Sequence, residues 1–306
     1  MLKNNNAPTF NSITAHYILT ADIGGSHITV AVCDLSTASI IENSLTRVEV
    51  DSNGPAGPIL SAWATAFTQA LEKAELPVSG LGIAMPGPFD YENGISYIKG
   101  LNKYEELYGM NIKQYFAGLL NLPFREIRFR NDAEATIAGE ALAGAAKHLN
   151  TVMGVTLGTG FGSAYCQEQI TRDLNLGSDP FKNSIADDYL STPWFIQTYK
   201  ELTGISLPGV KDLAVVAEAS LAARRVFEEF AINMSAFLVK PLNWFKPQAL
   251  MLCGNIAKAS DLFLTSLKLR LNGTTIIIAE LGEQAALIGA AALFKQQTDV
   301  EVSSSQ

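Results

Sequence analysis

The chain has 306 residues, 48% of them hydrophobic and 17% charged, with 24 glycines and a formal net charge of -8. It is about twice the usual domain length and has the composition of a soluble α/β globule, which excludes a disordered or fibrous chain and predicts two domains sharing a cleft. The acidic balance excludes a nucleic-acid or anionic-membrane surface, because both need clustered Lys and Arg.

No apolar run approaches the roughly 18 residues of a membrane span. The first twenty residues lack the basic start and apolar run of a secretion signal, so the cytoplasm is expected. Cys33, Cys166 and Cys253 lie far apart, each in or beside an apolar strand-like run. They read as free core cysteines, and with only His16, His27 and His148 available there is no material for a Cys/His zinc site.

In chain order, residues 1 to 14 are polar and Asn-rich and are expected to fray. LTADIGGSHITVAVCD, residues 19 to 34, is an apolar strand that breaks at Asp22, Gly24 and Gly25 and resumes as a β-branched strand, which predicts a β-hairpin. The glycine pair lets backbone N–H groups form a concavity that suits phosphate oxygens. Neither GxxxxGK[ST] nor a GxGxxG that opens a helix is present, and an ordinary hairpin turn remains the plain alternative. A strand meander follows, then an amphipathic helix from Pro58, and then a buried strand ending at Pro86, Gly87 and Pro88, the kind of strand end where α/β proteins bind ligands. Alternation at Ile127 and Phe129 predicts a strand that gives way to an Ala-rich helix from about Ala133, with Asn131 and Asp132 at the junction, where a helix-capping role is the plain alternative.

TVMGVTLGTGFGSAYC then repeats the opening design of strand, glycine turn (Gly158, Gly160, Gly162) and strand. Each turn carries a small hydroxyl residue, Ser26 or Thr159, so the two look like one fold used twice, able to grip a polyphosphate from both sides. A long helix or helix pair over 213 to 245, a strand ending at Gly254 and Asn255 followed by a helix, and a closing small-residue helix complete the chain.

This order of elements resembles the ROK sugar kinases of the actin, hexokinase and Hsp70 superfamily, over about residues 17 to 295. DIGGSH looks like the first phosphate loop, MPGP the turn before the sugar site and NDAEATIAGE the catalytic stretch. LGTGFG looks like the second phosphate loop, LCGNI the nucleotide-side turn and AALIGAA the closing helix.

The resemblance implies an α/β, two-lobed, ribonuclease-H-like fold of the actin/hexokinase type with the active site in the interlobe cleft. Residues 1 to 130 would form a small N-terminal lobe, onto which a helix of about 282 to 296 packs back, and residues 131 to 281 a large C-terminal lobe. Gly24, Gly25, Ser26, His27, Gly158, Thr159 and Gly160 would bind the phosphates of ATP, with Gly254 and Asn255 beside the adenosine. Asp22 would hold Mg²⁺ through water and Asp132 would accept the proton of the attacking hydroxyl. Gly87, Asn102, Asn131 and Asp132 would contact the sugar, and a homodimer is implied.

The pattern breaks at LNLGSDPFKNSIADDYLS. Asn175 and Ser178 stand where glucokinase-like members have a sugar-binding Glu and a His, and the zinc knuckle of cysteines is deleted. Asp187 stands for the last sugar-binding Glu, one methylene shorter, and Asn175 and Asp187 complete the expected sugar contacts. Glucose specificity is thereby put in doubt, and other hexoses, amino or N-acetyl sugars and polyols are admissible. The expected function is an ATP-dependent, zinc-free sugar kinase acting on a small-molecule sugar. The alternatives are a catalytically silent sugar-sensing regulator on the same fold and a kinase of another small acceptor such as a carboxylate. DNA binding is not expected, because the residues before the first strand are too few for a helix-turn-helix.

Overall fold

The computed structural model describes residues 16–295; the Asn-rich start and the end of the closing helix at residue 296 lie outside them. The chain divides into two compact units, one running to Ala143 and resuming at Glu283, the other spanning Gly144–Gly282. The division falls after Ala143 and not after residue 130.

In the first unit, β1 (Tyr17–Ile23) and β2 (His27–Asp34) form the hairpin, with Ile23 opposite Ile28. β3 (Ser39–Ile40) and β4 (Thr46–Glu49) both pair with β2. α1 (Ala56–Ala74) buries Ile59, Leu60, Trp63, Ala66, Phe67 and Ala70, the 3.6-residue stripe of a core-facing helix, and stops where Glu75 turns left-handed. β5 (Gly80–Met85) is buried along its whole length because it lies between two parallel partners, β1 and β8 (Ile127–Asn131). Between them come the short hairpin β6 (Phe89–Asp90) and β7 (Ile95–Ser96), and α2 (Ile112–Leu120), capped by the Asn111 side chain. α3 (Asp132–Ala143) follows β8 directly. The sheet order is β3-β2-β1-β5-β8, and its core centres on Trp63, Phe67 and Phe116.

The second unit repeats the plan. β9 (Thr151–Leu157) and β10 (Phe161–Gln167) form a hairpin, β11 (Ile170–Asp173) adds to its outer edge, and β14 (Ala249–Cys253) and β15 (Ile276–Ile278) add in parallel on the other side. Within the loop-rich stretch before β14 lie the hairpin β12 (Pro180–Phe181) and β13 (Ser184–Ile185), α4 (Asp187–Leu190) and α5 (Thr192–Thr203). The long helical stretch resolves into a pair, α6 (Val210–Val216) and α7 (Leu221–Phe245), the second capped by Ser220. α8 (Leu264–Arg270) precedes β15, and Phe195, Phe227, Phe230 and Phe263 fill the core. Both sheets therefore have the same order, hairpin first and then two parallel additions, as the two similar glycine turns imply.

α9 (Gln284–Ala291) returns to the first unit and packs on α3. α9 is buried from Ala285 to Ala291 and α3 over most of its middle, and both are rich in Ala and Gly. A β-carbon on Gly289 would lie 1.7 Å from the Ala135 carbonyl oxygen, and one on Gly139 2.0 Å from that of Ala285. On the sheet side, one on Gly82 would lie 2.4 Å from the Ala290 carbonyl oxygen. Backbone meets backbone here, so no side chain can yield, and α3 is tied to the first unit.

Gly289→Ala is therefore expected to cost about 3 kcal/mol or more, above the usual range for overpacking because only main chain can move. Urea titration of the wild type and the variant checks this; a loss under about 1 kcal/mol would show that the helices can separate cheaply.

Candidate functional site

The register of the first sheet brings the predicted residues to one edge. Asp22 is level with Ala84 on β5, and Met85 is level with Asn131 on β8, so the three parallel strands end together and Asp132 opens α3 just beyond. Open α/β sheets bind ligands at this carboxyl edge. Asn131 does cap the helix: its Oδ1 accepts from the N–H groups of Ala133 (2.9 Å) and Glu134 (3.2 Å). Its Nδ2 donates to the Tyr91 hydroxyl at 3.3 Å, and that hydroxyl donates to the Met85 carbonyl at 3.2 Å. Gly87 joins the same group, since a β-carbon there would sit 3.1 Å from the Tyr91 oxygen. Tyr91 thus links the MPGP turn to the NDA stretch, and nothing in its sequence context singles it out.

Asn102 is placed differently. It is exposed and left-handed, and its N–H donates to Glu105. Two residues on, Tyr104 is fully buried against Trp63 and its hydroxyl donates to the Gly24 carbonyl, so this segment supports the first glycine loop through Tyr104.

Asp22 is the most perturbed group at this edge. Burial, then the negative charges of Asp132 and Glu283, push its carboxyl up to about 7. Glu283, just before α9, pairs with Arg47 at 3.4 Å, and Arg47 lies 3.4 Å from His27 Nδ1. The Ser26 hydroxyl lies 3.1 Å from the same nitrogen. Burial and then the Arg47 cation hold His27 below the usual histidine value, so its neutral form, with Nδ1 accepting, suits both neighbours.

Among the loop glycines, a β-carbon on Gly24 would be crowded by the His27 carbonyl at 3.3 Å and one on Gly160 by Asp187 at 3.1 Å, whereas Gly25 and Gly158 are not crowded. None of Gly24, Gly25, Gly158 or Gly160 is left-handed, and a β-carbon on Gly25 or Gly158 would meet nothing within 4 Å. The bare main chain faces open space, as close approach of a ligand requires. Gly254 is the opposite case. Its φ is +90°, and a β-carbon would lie 2.5 Å from the Leu157 carbonyl oxygen, so the local fold already demands glycine.

In the second unit, Gly158, Thr159 and Asn255 line one pocket of about 740 Å³. Val210, Ala214 and Val215 of α6 give it an apolar wall, and Lys211, Lys258 and Glu218 bring charge to it. The α6 residues are not identifiable from sequence, because a short helix after Gly209 carries no motif. Asp187 opens α4 and its Oδ1 accepts from the Phe161 N–H at 2.5 Å, bracing the far side of the second glycine turn. One acceptor site of this carboxylate is thus used by the loop. Asn175 is exposed and left-handed, and its Oδ1 accepts from the Ser178 hydroxyl at 3.2 Å.

The ROK family model matches residues 18–173. The chain is 21% identical to the xylose repressor of Bacillus spizizenii over 90% of its own length and 76% of the relative's. It superposes on a ROK family glucokinase from Streptomyces griseus solved with glucose and AMPPNP (TM-score 0.71, 23% identity, 92% of this chain and 99% of that one). It also superposes on a ROK family transcriptional regulator homologous to the E. coli MLC protein (TM-score 0.77, 15% identity, 91% and 78%). The chain belongs to the ROK family, and its mixed α/β fold is the actin/hexokinase type of these proteins. Among the described residues no helix is long and apolar enough to cross a membrane.

The raised Asp22 predicts a pH dependence of stability. Between about pH 4 and 7 the folded chain holds a proton that the unfolded chain has released, so this carboxyl's contribution to stability falls as pH rises through that window. Asp22→Asn is expected to stabilise the ligand-free protein by about 4 kcal/mol at pH 8 and by almost nothing at pH 4. Denaturant titrations at both pH values test this; an equal effect at each would remove Asp22 as the source.

Proposed function

We propose that the chain is an ATP-dependent kinase that transfers a phosphoryl group to a hydroxyl of a hexose or hexose derivative. The observation that carries this is the single pocket shared by Gly158, Thr159 and Asn255. Its apolar α6 wall suits the face of a purine, Lys211 and Lys258 suit phosphate charge, and the open glycine turn offers main-chain N–H groups. The kinase relative solved with glucose and AMPPNP supports ATP and a sugar as the small-molecule partners. The expected homodimer and cytoplasmic location belong to the same proposal.

In this reading the sugar oxygen bonds to the γ-phosphorus as the bond to the bridging oxygen breaks, ADP leaves, and the hydroxyl proton passes to the Asp132 carboxylate. Asp132 is fixed for this by α3, with its Oδ1 accepting from the Ala133 N–H at 2.8 Å. The transition state is loose, so positioning matters more than base strength. Asn131 and Gly87, joined through Tyr91, would hold the sugar beside Asp132.

Asp22 fits a magnesium ion. A half-buried carboxylate crowded by Asp132 and Glu283 gains when a cation offsets the repulsion. Mg²⁺ is usually held by one or two carboxylates with water and substrate phosphates, and it would supply charge neutralisation for the phosphoryl oxygens. A second reading, a regulator that binds sugar without phosphoryl transfer, is favoured by the match to a xylose repressor over nine-tenths of the chain.

A coupled ADP-release assay with MgATP across hexoses, amino sugars, N-acetyl sugars and polyols separates the two. The kinase gives turnover with one sugar class, and Asp132→Ala lowers it by roughly 10² to 10⁴. Saturable sugar binding with no ADP release from any of them would favour the regulator. Gly158→Ala is expected to weaken nucleotide binding at least fivefold while leaving stability within about 1 kcal/mol, since its β-carbon meets no protein atom.

A further inference from the structure

The segment that departs most from the kinase pattern contains an unused charged contact. Lys182 sits at the corner of the β12–β13 hairpin with φ of +52°, a left-handed conformation that Gly or Asn adopts at lower cost. Its ammonium donates to Oδ1 of Asn233 on α7 at 2.6 Å, and lies 5.0 Å from the centre of the Tyr189 ring and 5.6 Å from that of Phe181. Asn233 is only 1% exposed, and its Nδ2 has no hydrogen-bond partner among the described residues. A buried asparagine with an unmet donor is costly, and a leucine would fill the volume without that cost. Both ends of the contact thus carry a local penalty.

What the contact holds leads to the nucleotide side. Phe181 packs edge-on against Tyr189 at 5.4 Å and against Phe237 at 5.3 Å, and Phe237 packs edge-on against Phe161 at 5.8 Å. Phe161 closes the second glycine turn and gives its N–H to Asp187, which lies between the hairpin and Tyr189 in sequence. Just past α4, at the first residue of α5, the Thr192 N–H donates to the Gly158 carbonyl at 2.8 Å. The hairpin, α4 and the glycine turn are therefore one mechanical unit with Lys182 at its outer end.

We propose that the Lys182–Asn233 contact, with the Phe181 and Tyr189 rings around the ammonium, is a positioning device that pins this segment to α7 and so sets the Gly158–Gly160 turn for phosphate. The use of the turn for phosphate rests on the kinase reading above; the pinning does not. Cation–π contacts and charge-assisted hydrogen bonds together are strong enough to hold a short hairpin.

The test uses the full chain with Lys182→Gly, Asn233→Leu, the double variant and Lys182→Arg. Glycine suits the left-handed corner, and leucine removes the unmet donor, so neither loss of the pin should lower the melting temperature by more than about 2 °C. Hydrogen exchange of the peptide covering residues 158–163 is read without ligand, and MgATP affinity is read by calorimetry. The expected result is exchange at least fivefold faster in both single variants, MgATP affinity weaker by roughly fivefold to tenfold, no further loss in the double variant, and values within twofold of wild type for Lys182→Arg.

Wild-type exchange at 158–163 in both single variants, additive losses in the double variant, or changes that follow the melting temperature would overturn the proposal. If the exchange changes as expected while the wild type binds no MgATP, the pin stands and the kinase reading fails.

Discussion

The backbone contact among β5, α3 and α9 is the constraint on which the first unit depends. At Gly82, Gly139 and Gly289 main-chain atoms approach where a β-carbon could not fit. Main chain cannot rotate away as a side chain can, so the contact fixes three elements relative to each other. β5 runs beside both β1, which ends at Ile23 just past Asp22, and β8, which leads into Asp132. α9 begins one residue after Glu283. The three carboxylates are therefore brought together by helix packing rather than by the loops that carry them. Burial first, and then the charges of Asp132 and Glu283, raise the Asp22 carboxyl, so a proton or a cation there is favoured.

The glycine turns follow a second logic. Replacing a glycine by alanine, where the backbone allows it, stabilises a protein by about 0.4–1 kcal/mol through the unfolded state. Gly25 and Gly158 are neither left-handed nor crowded, so each forgoes that gain with no compensation inside the chain. Gly254, with its positive φ and its contact on Leu157, is accounted for by the fold alone. A uniform reading of all glycines as ligand contacts would conflate the two cases. The first pair are not explained by the fold, and Gly158 lies in the pocket that Lys211 and Lys258 also line.

Much of this architecture is legible in the sequence because it rests on local pattern. Two strand, glycine and strand runs predict two hairpins, and each is the start of a sheet with the same order. The junction at Asn131 reads both as a cap and as a site residue, and its two side-chain ends take separate duties: the oxygen caps α3, and the amide reaches Tyr91. Long-range pairing leaves no such local mark. Tyr91, Tyr104, Arg47 and Glu283 matter through partners 40, 80, 20 and 236 residues away. The lobe border differs from the sequence expectation for the same reason: by chain order α3 reads as the opening of the second lobe, yet its packing partner is α9, which returns to the first unit.

Residues 175–191 show how one substitution can change a residue's duty. The aspartate at 187, one methylene shorter than the glutamate that the family resemblance places here, has its Oδ1 on the Phe161 N–H. The carboxylate that the family resemblance assigns to the sugar is thereby turned toward the loop, and Asn175 spends its oxygen on Ser178. Both side chains are thus engaged within their own neighbourhood, one with the glycine turn and one with Ser178. A chain selected only to sense a sugar would need the wall more than the turn. The balance here runs the other way: the Asp187 oxygen goes to the glycine turn and the Asn175 oxygen stays within its own segment.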